Sequence, residues 1–197
     1  PASVRTRAYH ARGLRDDAPY VLPFYLDPKA TTEFSPGTDH GWTSGHMAWN
    51  HGKYNEWVNQ KQDVATMGYL KRQDVSYHYA LAEAFTLCDA YHCSVMGPTF
   101  PNRMYWMTGM IDPDGLHGGP MTSNSVPKGG FTWTTYAERL EAAGIPWKLY
   151  QQQDNFGCNV LEYFQQFQQA PKNSPLYLKG MVRGPEGQFE YDAINDK

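Results

Sequence analysis

A chain of 197 residues that is 41% hydrophobic and 15% aromatic can bury one sizeable core, so length and composition predict a single domain. Its net charge of −3, with basic residues scattered, excludes an electrostatic footprint for nucleic acid. No run of about 18 apolar residues occurs, so no membrane-spanning helix is expected.

Residues 1–37 mix proline, glycine and charge without periodicity and read as loop, with a short edge strand over Val21–Leu26 interrupted by Pro23. Thr38 or Asp39 caps a helix reaching about Asn50, Gly52 breaks it, and Lys53–Lys61 forms a second. Ser76 opens a clearer helix. Tyr77, Ala80, Leu81, Ala84 and Phe85 recur on one side of it, which predicts a buried face.

Leu87–Val95 reads as a strand, with Cys88 and Cys93 as buried free thiols and His92 as scaffolding within it, like His78 on the preceding helix. Pairing of two of the three cysteines (Cys158 is the third) stays open, because a secreted protein would permit it.

Gly109–Gly130 is a long loop rich in Gly, Pro, Ser and Asn, a length usually tied to function. Thr135-x-x-Glu138 is a capping box, and Gly144 followed by Pro146 closes that helix. Trp147–Tyr150 suits a strand. Asn159 caps a helix whose Val160, Leu161, Phe164 and Phe167 form an apolar stripe, and regular structure thins out from Pro171. Alternating strands and helices predict an α/β layered fold with parallel strands.

The run Gly97-Pro98-Thr99-Phe100-Pro101-Asn102-Arg103 carries the clearest chemical signal. Pro101 suits a first helical turn, which leaves Thr99 and Phe100 at the cap, beside free backbone N–H groups. The positive end of the helix dipole favours an anion there, alkoxide or phosphate. Threonine in this position is also an ordinary cap, worth about 1 kcal/mol with no chemistry attached. Asn102 stands one turn after Thr99, where its amide either faces the same phosphate or bonds local backbone. Arg103 adds a donor for phosphate or for a structural carboxylate. In a parallel sheet, sites form beyond the C-terminal ends of strands, which is where Thr99 follows Leu87–Val95.

The segments Asp39-His40-Gly41-Trp42, His46-Met47-Ala48-Trp49-Asn50-His51-Gly52-Lys53, Ala80 to Ser94, Gly97 to Arg103 and Trp133 to Gly144 resemble the bacterial phosphocholine-type phospholipase C family, haemolytic and non-haemolytic. That family is related to a bacterial acid phosphatase and lies in the alkaline-phosphatase-like superfamily. The likeness runs from about Tyr20 to near the C-terminus and is densest between Thr38 and Gly109.

The resemblance implies a three-layer α/β/α sandwich, of which residues 1–197 are expected to be an internal segment of one phosphoesterase catalytic domain. It implies a secreted or periplasmic hydrolase acting on phospholipid at a membrane or micelle surface. It makes Thr99 the nucleophile and a ligand of a divalent metal ion, whose main ligands come from outside this segment. His40 becomes the donor to a phosphate oxygen or the leaving-group acid, and Asn102 joins it as a catalytic candidate. His46, Asn50, Arg103 and Trp106 are candidate substrate contacts.

His46 and Asn50 share a helix face at i, i+4, whereas His40 and His46 lie about 240° apart on one continuous helix. They converge only if His40 precedes it. Reading His40, His46 and His51 as a zinc set matches no compact spacing. Trp49, Tyr105 and Trp106 are core aromatics or a cage for a quaternary ammonium headgroup. Two other readings stay open: a phosphomonoesterase on the same scaffold, and a non-catalytic fragment or binding module without metal ligands.

Overall fold

The computed structural model of the chain describes residues 21–29, 37–151 and 157–184. The chain divides into two compact units, Pro1–Met96 and Gly97–Lys197. The loop reading of residues 1–37 falls largely outside the described residues.

In the first unit, β1 (Phe24–Tyr25) pairs in parallel with β2 (Gly68–Tyr69), Phe24 opposite Gly68 and Tyr25 opposite Tyr69. Between them run α1 (Trp42–Trp49), a 3-10 turn at Asn50–Gly52, α2 (Trp57–Lys61) and a second 3-10 turn at Val64–Met67. The break after α1 is steep because Asn50 and His51 both take left-handed backbone, with φ of 43° and 54°. Lys61 ties the two helices together, donating to the Asp39 carbonyl at 2.8 Å and to Ser44 Oγ at 2.7 Å.

The helix predicted from Ser76 forms as α3 (Ser76–Ala84), but none of its residues is buried. Tyr77, expected on a packed face, is 70% exposed. The expected strand Leu87–Val95 is also absent: the segment is irregular and Tyr91 is 87% exposed. A strand exists only when a neighbour accepts its ladder of hydrogen bonds, and 87–95 carries no strand, with local turn bonds at Leu87–Asp89 and Cys88–Tyr91. Cys88 and Cys93 are therefore exposed rather than buried, and they and Cys158 are free thiols. His78 and His92 are exposed as well.

The apolar core lies in the second unit, which carries α4 (Thr99–Thr108), α5 (Tyr136–Ala142), a 3-10 turn at Val160–Tyr163, α6 (Gln165–Gln168) and α7 (Pro175–Gly180). Met104, Phe131, Leu161, Phe164 and Phe167 are almost wholly buried there. Phe131 and Phe164 form a parallel bridge through Phe131 N–H to Tyr163 carbonyl at 2.8 Å and Gln165 N–H to Phe131 carbonyl at 2.9 Å. Trp133 packs edge-on against Phe164, centroids 5.1 Å apart, a favoured aromatic geometry. The apolar stripe expected after Asn159 is real, though it is split between a 3-10 turn and α6.

The capping box at α5 is complete. Thr135 Oγ1 accepts the Glu138 N–H, and Glu138 Oε2 accepts the Thr135 N–H at 2.8 Å. Among the described residues Trp147–Tyr150 carries no strand, with Leu149 N–H reaching the Lys179 carbonyl at 2.9 Å. The thinning expected after Pro171 is corrected by α7, where Ser174 caps and Pro175 occupies the first turn. Among the described residues no helix is long and apolar enough to cross a membrane.

Candidate active site

Thr99 is the first residue of α4, preceded by Pro98 in extended conformation. At 100° per residue, Pro101 and Met104 share the inward side of the helix, and both are buried. Thr99, Arg103 and Trp106 fall within about 60° of one another on the opposite side. Thr99 and Trp106 are exposed. The helix stops at Gly109, whose φ of 81° lets its N–H close onto the Tyr105 carbonyl at 2.8 Å.

The expected cradle of free amides is narrower than the sequence suggests. Phe100 N–H donates to Asn124 Oδ1 at 2.9 Å, and Pro101 has no N–H to give. Of the first-turn amides, that of Thr99 itself is consumed by neither feature. Asn124 was not legible as a site residue, because nothing local in Ser123-Asn124-Ser125 marks a helix twenty-four positions earlier.

Asn102 bonds the local backbone, one of the two readings open to it. Its amide nitrogen donates to the Gly97 carbonyl at 3.2 Å and to the Pro98 carbonyl at 3.1 Å. These two contacts hold the turn before Thr99. Arg103 Nη1 donates to the Cys158 carbonyl at 3.2 Å, tying α4 to the segment before Asn159. Phe100 stacks on Tyr163 with centroids 4.7 Å apart, a second anchor for the start of α4. Burial pushes the Tyr163 phenol up to about 12 against the opposing pull of the Arg103 charge. It is therefore a neutral donor, and it donates to the Gly157 carbonyl.

His40, His46 and Asn50 belong to the first unit, the α4 residues to the second. His40 precedes α1, whose cap is Gly41, which meets the condition set by the sequence for His40 to lie off the helix wheel of His46. It is exposed, beside Asp39. A hydrogen bond from Ser44, then one from the Gly41 N–H at 2.8 Å, holds the Asp39 carboxyl below the usual range. His46 Nδ1 lies 2.9 Å from the Trp42 carbonyl, and its ring stacks on Trp42 with centroids 4.7 Å apart. Because a carbonyl only accepts, Nδ1 carries a proton in this contact. Asn50 closes α1 in left-handed backbone and donates to Asn55 Oδ1 at 2.9 Å. That is a turn-forming role.

Among the described residues no group of three or more His, Cys, Asp or Glu side chains is arranged to hold a metal ion.

The family model of the phosphoesterase family matches residues 5–197. The chain is 43% identical over 182 residues to the non-hemolytic phospholipase C of Pseudomonas aeruginosa, covering 89% of this chain and 26% of that protein. It is 38% identical over 201 residues to the hemolytic phospholipase C of the same organism, covering 87% and 27%. It is 40% identical over 149 residues to phospholipase C A of Mycobacterium tuberculosis, covering 69% and 29%. The chain thus spans between 26% and 29% of the length of these curated relatives.

Proposed function

Because the chain belongs to the phosphoesterase family, we propose that the protein is a phospholipase C-type hydrolase with Thr99 as its nucleophile. Its substrate is a phosphatidylcholine-like phospholipid met at a membrane or micelle surface, and its place of work is secreted or periplasmic. The relatives' names support the reaction class. The single observation that carries the residue assignment is the exposed Thr99 at the start of α4, with Pro101 and Met104 buried behind it.

The Thr99 oxygen attacks phosphorus in line, the bond from phosphorus to the glycerol oxygen breaks, and diacylglycerol leaves. The Thr99 proton passes to a base or solvent, and the leaving oxygen takes a proton from His40 acting as acid. A water then attacks the phospho-threonine, releasing the phospho-headgroup and returning the hydroxyl. The α4 dipole and the Thr99 N–H favour the negative charge on the attacked group, an effect of about 0.3–1 kcal/mol for an exposed helix terminus.

A threonine hydroxyl is a weak nucleophile, and a divalent ion would supply the lowered pKa it needs. Among the described residues no ligand set for that ion is arranged, so its other ligands are proposed to lie beyond them. The three-layer α/β/α sandwich is proposed for the catalytic domain to which these residues belong.

The deciding experiment mixes the full-length protein with phosphatidylcholine, quenches in acid within the first turnover and maps phosphate by peptide mass spectrometry. Phosphocholine carried on the Thr99 oxygen, with diacylglycerol released, is the expected result. Phosphate on another side chain overturns the nucleophile. Turnover of phosphomonoesters alone overturns the phospholipase reading.

A further inference from the structure

His40 is exposed on the stretch before α1, yet the chain is fixed on both sides of it. The peptide group before it is held through its oxygen: Lys61 Nζ, on the last residue of α2, donates to the Asp39 carbonyl at 2.8 Å. The peptide group after it is held through its nitrogen, because Gly41 N–H donates to Asp39 Oδ1 at 2.8 Å. Only φ and ψ of His40 separate those two planes, so anchoring both sets the direction in which its side chain leaves the backbone. We propose that Lys61 is the positioning residue that aims the His40 ring for proton transfer to the leaving oxygen. The proposal rests on the reading of His40 as the acid and adds what holds it there.

Lys61 does more than tie two helices together. Its bond to Ser44 Oγ at 2.7 Å already spans α2 and α1. The Asp39 contact reaches past the start of α1, to the residue directly before the histidine. Ser44 also bonds the Asp39 carboxyl, and that bond, then the one from Gly41, holds the group below its usual range, with the Lys61 charge acting in the same direction. A charged carboxylate is the stronger acceptor for the Gly41 N–H. One ammonium thus makes the first hold and strengthens the second.

The ring has a defined neighbour as well. A Cβ at Gly37 would lie 3.5 Å from His40 Cε1, an ordinary contact distance, so the imidazole lies beside the Gly37 backbone. A proton donor on a loop is less precisely placed than one on a helix, and Lys61 lends it a helical support. The stakes are set by geometry, since a misplacement of about 1 Å can cost about 10²-fold in rate.

The test uses the full-length protein with Lys61→Met, which keeps most of the aliphatic stem and deletes the ammonium. An acid speeds departure of the diacylglycerol alkoxide, whereas nitrophenolate leaves without a proton. The kcat/KM for dioleoylphosphatidylcholine should therefore fall about tenfold or more, and that for p-nitrophenylphosphocholine should stay within about twofold. Ser44→Ala, which removes one acceptor and leaves the ammonium, is the milder second variant and should show a smaller loss with the same preference. Equal losses on both substrates, or no loss from Lys61→Met beside a slow His40→Gln, overturn the positioning role and leave the acid in place.

A double variant makes the coupling explicit. In a His40→Gln background Lys61→Met should cost nothing further, because its effect runs through the missing ring; losses that multiply overturn the proposal. A readout without turnover uses protein carrying histidine labelled with 13C in the ring. The His40 Cε1–H resonance, identified by its loss in His40→Gln, should shift in Lys61→Met toward that of a freely rotating ring. A shifted resonance supports the Lys61 hold even if the unsubstituted protein cleaves neither ester, a result that sinks only the phospholipase reading. An unmoved resonance overturns the hold by itself.

Discussion

Asn124 caps the helix that presents Thr99: its Oδ1 accepts the Phe100 N–H at 2.9 Å from twenty-four positions along the chain. One side chain thus spends a first-turn donor that a phosphate would otherwise claim. Asn124→Ala returns that donor to solvent and should cost about 0.5–1 kcal/mol in chemical denaturation. Asn124→Asp keeps the acceptor and adds charge at the positive end of α4, so stability should hold or rise slightly. The same charge repels an incoming phosphodiester, and kcat/KM should fall. An aspartate variant with unchanged kcat/KM would place the substrate away from this helix end.

Thr99→Ala removes the proposed nucleophile from an exposed position and should leave the unfolding midpoint nearly unchanged. Turnover should fall by three orders of magnitude or more, since removing an essential nucleophile costs about that much. Thr99→Ser keeps the oxygen and should retain much of the rate. Near-wild-type hydrolysis by Thr99→Ala, assayed on phosphatidylcholine, would dismiss the hydroxyl from the reaction.

His40→Gln tests the acid. The ring lies on an exposed stretch before α1, so the substitution should spare the fold. The rate should drop by about 10²–10⁴-fold, the usual contribution of positioned proton transfer. The pH–rate profile should lose one limb. A slower enzyme that keeps both limbs would make His40 a binding residue.

What the sequence made legible is whatever depends on residues a turn apart. Thr135 and Glu138 announce the start of α5 because each completes the other's hydrogen bonds within four positions. Gly97-Pro98-Thr99 and Pro101 likewise place the start of α4 within a residue. Leu87–Val95 reads equally well as a strand, yet its conformation depends on a ladder partner that its own residues do not specify. Apolar spacing on α3 names a face but not what covers it. Asn102 carried two readings that spacing alone did not separate. Its spacing from Thr99 is right for a shared ligand, but its amide nitrogen donates to the Gly97 and Pro98 carbonyls. Asn124 and Gln166 act on helices far along the chain, and composition carries no trace of that.

Gln166 extends the capping box into the core. Its Nε2 donates to Glu138 Oε2 and to the Trp133 carbonyl, both at 2.9 Å, while Thr135 is fully buried beneath them. Thr135→Val keeps the shape but deletes the hydroxyl that meets the Glu138 N–H and Oε2. A loss of about 1–3 kcal/mol is expected, the cost of leaving buried polar groups unpaired. Gln166→Leu should cost a similar amount for the same reason. If the two losses add in the double variant, measured by urea unfolding, the groups do not act as one network.

Asp112 is the one buried carboxylate among the described residues, 3% exposed with φ of 57°. Burial alone would raise its pKa. The His117, Gly119 and Leu116 N–H groups, donating at 2.9, 2.8 and 3.2 Å, outweigh burial and hold the carboxyl below its ordinary range. Gly119 is required for this approach, since a Cβ there would lie 2.7 Å from Asp112 Cβ. With the folded pKa depressed, the charged form stabilises the fold at all pH above the unfolded value of about 3.9. That stability fades as pH falls below about 4 and through the folded pKa. Asp112→Asn turns an amide N–H toward donors and should destabilise by about 1–3 kcal/mol at neutral pH. It should also flatten the acid limb of the stability profile below pH 4. A variant whose urea midpoint falls with acid as steeply as the unsubstituted protein's would assign that limb to other carboxylates.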